Sequence, residues 1–209
     1  MRVRRVWCWH FTGLARRTGL SIRETYAYFA RHRINVVFLA DNSQVMYLNG
    51  VDSLGGTFEQ TLEKLRTLIG EWGITDLLTF GNSAGGYGAM LYGAHLGARR
   101  ILSIAGPSRL DPEFEPRVVS FSRVEVLQEV RKTRSLDLAH VLPPLAPLPR
   151  IDCYYALDCA EDVAQAQNIA HLRSVVLHPI PSGGHAVMLA MDKTGDLRKA
   201  VNELFSSGH

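Results

Sequence analysis

Asp76-Leu77-Leu78-Thr79-Phe80-Gly81-Asn82-Ser83-Ala84-Gly85-Gly86-Tyr87 is the stretch whose reading decides the fold. It is an apolar strand, Asp76 to Phe80, running into a G-x-S-x-G turn and then into a small-residue helix, Gly85 to Leu96. The turn has a steric logic. A serine between a strand and a helix sits in a strained backbone conformation, and glycines on both flanks let the neighbouring backbone pass without a Cβ clash. The serine oxygen then points outward at the carboxyl end of the sheet, and the helix behind it aims its amino terminus at developing negative charge. A Walker loop requires Gly-Lys-Ser/Thr, and no lysine is present here. A dinucleotide fingerprint starting from Gly86 and Gly88 requires Gly or Ala where Leu91 stands.

Outward from this turn, strands alternate with helices. Val3 to Phe11 is a β-type run ending at Thr12-Gly13, and Asn35 to Leu39 is a buried strand. Ser21 and Glu24 have capping-box spacing ahead of a helix with Ile22, Tyr26 and Phe29 on one face. Thr57 and Gln60 repeat that spacing ahead of Phe58, Leu62, Leu65 and Ile69. Between these helices, Asp41 to Gly56 is rich in Asn, Ser and Gly and reads as loop. After the elbow come a strand at Ile101 to Ala105 and an irregular segment, 111–150. That segment holds one helix around Val124 to Val130 and then Pro143, Pro144, Pro147 and Pro149. A strand at Ile151 to Leu157, a helix at Asp162 to Leu172 and a strand at Ser174 to Pro179 follow, then a helical tail from Val187 to Phe205 broken near Gly195. Continuous apolar strands between helices predict an α/β fold: a doubly wound, mostly parallel sheet of about six strands with helices on both faces. The 209 residues read as a single domain, with 111–150 a small cap-like insertion.

Composition excludes several classes. Hydrophobic residues make up 46% and charged residues 21%, enough to build a core. A formal charge of +3 is too small to imply a nucleic acid partner. Much of the positive charge lies in Arg2, Arg4, Arg5, Arg16 and Arg17, read as a solvated rim. No run reaches membrane-spanning length and no signal-peptide pattern is visible. Three cysteines, Cys8, Cys153 and Cys159, lack framework or metal-ligand spacing, so no disulfide scaffold and no zinc site is expected and the expected compartment is the cytoplasm. Cys8, Cys153, Trp7 and Trp9 read as core residues. Oligomeric state leaves no sequence signature.

With the elbow in this context, the chain resembles the α/β-hydrolase superfamily over nearly all of its length, with a reduced N-terminal part and little or no lid. The resemblance implies a serine nucleophile after the central strand, an acid after the next-but-one strand and a histidine after the last. Ser83 is the nucleophile on that pattern. The acid is Asp162, with Asp158 as the alternative and Glu161 behind both. The histidine is His185, in the loop Pro181-Ser182-Gly183-Gly184-His185. His32, His95 and His171 fall on helices, His178 in a strand, His140 in the irregular segment and His209 at the end. For the oxyanion, the resemblance implies the backbone N–H of Ala84 and a second from the loop after the first strand, with Thr12 first and Gly13 second. This loop departs from the usual His-Gly motif of the superfamily.

The expected function is a serine hydrolase cleaving a carboxylic ester or thioester through an acyl-enzyme, without cofactor or metal. Acyl transfer by the same residues and a silent scaffold that binds a partner are the alternatives. The substrate is expected to be a small-molecule or glycan-linked acyl ester. Asn42, Tyr47 and Arg109 are the candidate substrate contacts, because their loops should lie at the carboxyl edge of the sheet.

Overall fold

The computed structural model describes residues 5–13, 19–111, 114 and 124–206. Val3, Arg4, Arg2, Arg16, Arg17 and His209, all used in the sequence reading, lie outside them, as does much of the cap-like segment.

The elements run β1 (Val6–Phe11), α1 (Ile22–Phe29), β2 (Asn35–Leu39), α2 (Phe58–Glu71), β3 (Asp76–Asn82), α3 (Ala84–His95) and β4 (Arg100–Ile104). They continue with α4 (Val124–Thr133), α5 (Leu138–Val141), β5 (Arg150–Ala156), α6 (Ala160–Asn168), β6 (Val175–Ile180), α7 (Val187–Thr194) and α8 (Asp196–Phe205). The six strands form one sheet in the order β2-β1-β3-β4-β5-β6, and every pairing is parallel. The expected strands are therefore present with ends moved by no more than two residues, except that β1 begins at Val6 rather than Val3. The sequence reading did not anticipate four short pieces, the 3-10 turns Ala30–His32, Pro143–Leu145 and Gly184–Ala186 and helix α5.

Both faces are apolar because both are covered. On one, Trp9, Phe11, Leu77, Ile101 and Ile151 pack with Leu62 and Leu65 of α2 and with Tyr87 and Met90 of α3. On the other, Cys8, Leu78, Phe80, Leu102 and Ile104 pack with Phe29 of α1, Met188 of α7 and Leu197 and Val201 of α8. Adjacent strand residues such as Leu77 and Leu78 thus serve opposite cores, which erases the polar alternation of a one-faced sheet. Cys153 and Cys159 are buried as well, and none of the three cysteines is in a disulfide. Trp7 stacks on Trp72 with ring centroids 4.8 Å apart. The first helix closes its expected capping box; at the second, Thr57 is the N-cap but the box is not closed, since Gln60 reaches Gly56 N instead of Thr57 N. Ser21 and Glu24 bond reciprocally, while Thr57 accepts from Gln60 N at 3.2 Å and the Gln60 side chain accepts from Gly56 N. Among the described residues no helix is long and apolar enough to cross a membrane.

Strand order fixes where a site can form. From β1 the chain crosses to β2 on one side, and from β3 it crosses to β4 on the other, so β1 and β3 flank the switch point. The following helices, α1 and α3, lie on opposite faces and open a crevice at the carboxyl ends of these two strands.

His10, on β1, is fully buried against Phe29, Phe38 and Phe80, and among the described residues neither ring nitrogen has a hydrogen-bond partner. Burial pulls its pKa down from 6.5 to about 3. The unfolded chain therefore takes up a proton below about 6.5 that the folded chain refuses. This contribution to stability is intact above that pH and is lost at about 1.4 kcal/mol per pH unit as the pH falls toward 3. Urea melts between pH 7 and 4 should show this slope, and His10→Phe should flatten it.

Candidate active site

Ser83 lies where β3 turns into α3, with φ +54° and ψ −126°. Only the flanking glycines make that turn compact. A Cβ on Gly81 would lie 1.9 Å from the carbonyl oxygen of Gly85, and one on Gly85 would lie 1.9 Å from that of Phe11. Ser83 N donates to the Ile104 carbonyl at 2.9 Å, which anchors the elbow to β4. Its hydroxyl caps no helix and is left for other chemistry.

That hydroxyl meets His185. Ser83 Oγ is 2.8 Å from His185 Nε2, and His185 Nδ1 is 3.0 Å from both carboxylate oxygens of Asp162. Asp162, an acceptor, fixes the histidine proton on Nδ1 and leaves Nε2 to accept from serine. The carboxylate is buried, with a side chain 2% exposed, while the His185 side chain is 42% exposed. The contacts therefore run from a dry acid through a partly exposed histidine to a half-buried hydroxyl.

Each member has its own support. His185 follows β6 in a single 3-10 turn, Gly184–Ala186, entered through Gly183 at φ +141° and Gly184 at φ +55°. Asp158 lies just past β5 and does not contact the ring. Its carboxylate accepts from Gly183 N at 3.1 Å and Gly184 N at 2.9 Å. Those two backbone hydrogen bonds, Gly184 first, hold its pKa below the usual aspartate value. The alternative acid is thus a brace for the histidine loop. Asp158→Ala should lower kcat by roughly tenfold to a hundredfold through misplacement of His185, with KM little changed. Steady-state kinetics on one ester checks this.

Asp162 sits in the first turn of α6, and one turn on, Gln165 clamps that helix to the loop after β4. Its Oε1 accepts from Ser108 N at 2.7 Å and Arg109 N at 2.8 Å, and its Nε2 donates to the Arg109 carbonyl. A glutamine mid-helix gives no sequence signal of this role, because its partners are more than 50 residues away.

Four expectations need correction or placement. Thr12 cannot offer its N–H to an oxyanion, because that group donates to the Leu39 carbonyl at 2.9 Å. Ladder pairing between β1 and β2 runs one residue past the strand end and consumes it. Ala84 N and Gly13 N donate to no acceptor among the described residues. Tyr47 is no substrate contact: it is wholly buried in the core. Arg109 is held by Asp111 at 2.8 Å, with its guanidinium 4.9 Å over the Phe114 ring, so its charge is balanced within the protein. Asn42 is exposed beyond the carboxyl end of β2.

Solved structures with this architecture include FphF, a fluorophosphonate-binding serine hydrolase of Staphylococcus aureus in a substrate-bound structure. It shares 12% identity and a TM-score of 0.72, covering 99% of this chain and 86% of its own. A putative α/β-superfamily hydrolase of Xanthomonas campestris pv. campestris shares 17% identity and a TM-score of 0.56, covering 97% and 98%. A structure from a study of carboxylesterases of the thaumarchaeon Nitrososphaera gargenis shares 11% identity and a TM-score of 0.60, covering 96% and 92%. No family model matches the sequence, and no curated protein matches it.

Proposed function

Because the chain has the α/β-hydrolase fold, we propose that it is a serine hydrolase that cleaves a carboxylic ester or thioester through an acyl-enzyme on Ser83. The observation that carries this reading is the unbroken line of contacts from Ser83 Oγ through His185 to Asp162.

In this mechanism His185 Nε2 takes the hydroxyl proton as Ser83 Oγ attacks the acyl carbonyl. Asp162 holds the ring in the required tautomer and stabilises the imidazolium that forms. The Ala84 and Gly13 N–H groups receive the oxyanion, in a position that the amino terminus of α3 also favours. The tetrahedral intermediate collapses, and His185 returns the proton to the departing alkoxide or thiolate. Water then enters, gives a proton to His185 and attacks the acyl carbon. The resulting acid departs as Ser83 recovers its proton.

A panel of p-nitrophenyl esters of increasing chain length tests the proposal. A pre-steady-state burst of p-nitrophenol, stoichiometric with enzyme, is expected where deacylation is slow. Folded protein that turns over no ester or thioester in such panels contradicts it.

A further inference from the structure

We propose that Tyr47 is a positioning residue for the oxyanion loop, acting through the peptide that joins Thr12 to Gly13; this rests on the serine-hydrolase reading above. The Tyr47 hydroxyl lies 2.7 Å from the Thr12 carbonyl oxygen and 2.8 Å from that of Leu39. The Leu39 carbonyl already receives the Thr12 N–H, so the shorter contact, to Thr12, is the one without another donor among the described residues. Burial pushes the phenol pKa upward, so the group stays protonated and donates. In a trans peptide the carbonyl and the next N–H leave the same plane in opposite directions. A hydroxyl that pins the Thr12 carbonyl therefore sets the direction of the Gly13 N–H.

The seat of Tyr47 is built for this placement. The chain between β2 and α2 is turned by Asp41, whose carboxylate accepts from Ser43 Oγ, Gln44 N, Val45 N and Tyr47 N at 2.5–3.0 Å. Gln44, Met46 and Tyr47 all take positive φ there without being glycine, and such strain persists only where the surroundings over-determine it. Tyr92 donates its hydroxyl to the Tyr47 carbonyl at 3.0 Å. The ring packs edge-on to Phe11, over Gly88, where a Cβ would come within 2.7 Å of it. Gly88, which lies outside the elbow pentapeptide, thus makes room for the brace. The Thr12 hydroxyl completes the group at 3.3 Å from the phenol.

Tyr47→Phe removes the hydroxyl and keeps the ring. The test measures ester kinetics and the affinity of an alkyl boronic acid, which becomes tetrahedral and anionic on a nucleophilic serine. The expected result is a fall in kcat of roughly tenfold to a hundredfold with KM nearly unchanged, a matching fall in boronate affinity, and an unmoved pH profile. A purely structural loss would lower the active fraction without changing KM or the boronate affinity of the molecules still folded. Should Tyr47→Phe fail to fold, Asp41→Asn, which loosens the seat, should give a smaller loss in the same ratio. Wild-type kcat and boronate affinity in a folded variant would overturn the proposal while leaving the hydrolase reading intact. A wild type that turns over no ester and binds no boronate overturns both.

Discussion

Ser83→Ala is expected to lower ester turnover by at least roughly 10⁴-fold while the protein keeps its fold. The hydroxyl is the atom that would bond to the acyl carbon, so nothing else in the crevice replaces it. Its removal should not disturb the architecture, because Ser83 is held through its backbone N–H to Ile104 and its side chain caps nothing. The backbone donors at Ala84 and Gly13 remain and should sustain a residual rate above that in water. Residues that act as a unit are also non-additive. Asp162→Asn alone should be severe, since it misdirects the histidine proton, yet adding it to Ser83→Ala should change little. Turnover of one activated ester by the two single variants and the double variant, with circular dichroism as the check on folding, gives the comparison.

The second large effect is on stability, at the opposite edge of the sheet. Asp152 on β5 is buried and accepts from Arg100 Nε at 2.9 Å, Arg150 Nη2 at 2.8 Å and His178 Nε2 at 2.8 Å. Burial alone would raise its pKa. The hydrogen bonds from His178, Arg150 and Arg100 outweigh burial and hold the carboxyl well below the usual aspartate value. Arg100, whose side chain is only 10% exposed, also donates to the Glu203 carbonyl and to Ser206 Oγ, which ties α8 to the sheet. Asp152→Asn leaves that buried guanidinium with only the half-exposed Glu203 carboxylate, 4.0 Å away, as counter-charge, at a cost of about 3 kcal/mol. In a chain of this size the melting temperature should fall by roughly 10 °C. With a folded-state pKa below the unfolded value, the wild-type advantage is complete above about pH 4 and disappears as pH falls further. Arg100 and Arg150 open their strands, far from the carboxyl edge that carries Ser83, so kcat per folded molecule should not change. Thermal melts at pH 7 and pH 3 measure both parts, and a variant as stable as wild type at pH 7 would contradict the assignment.

What the sequence disclosed follows from the range of the forces involved. The elbow was legible because its requirement is local: Gly81 and Gly85 are excluded from carrying a Cβ by backbone four or fewer residues away or by the adjacent strand end. His185 was legible for a similar reason, since Gly183 and Gly184 mark a loop that needs positive φ. The choice between Asp162 and Asp158 was not local. The two stand four residues apart around the start of α6, and only the path of the histidine loop decides that one meets the ring and the other the loop backbone. Thr12 misled because the engagement of its N–H depends on where pairing with β2 stops, a register set by residues nearly thirty positions away. The stretch after β2 misled only in the burial of its side chains. It is loop, as its Asn, Ser and Gly content suggested, but Val45, Met46, Tyr47, Leu48 and Val51 are buried around the carboxylate of Asp41, so Tyr47 is not a substrate contact.

The central claim is that Ser83 is a nucleophile activated by His185. Intact-mass analysis of the wild type after treatment with a fluorophosphonate tests it most directly. A single adduct that maps to Ser83 and is strongly slowed in His185→Ala is the predicted result; folded wild type that takes no adduct, or takes it at another residue, would contradict it.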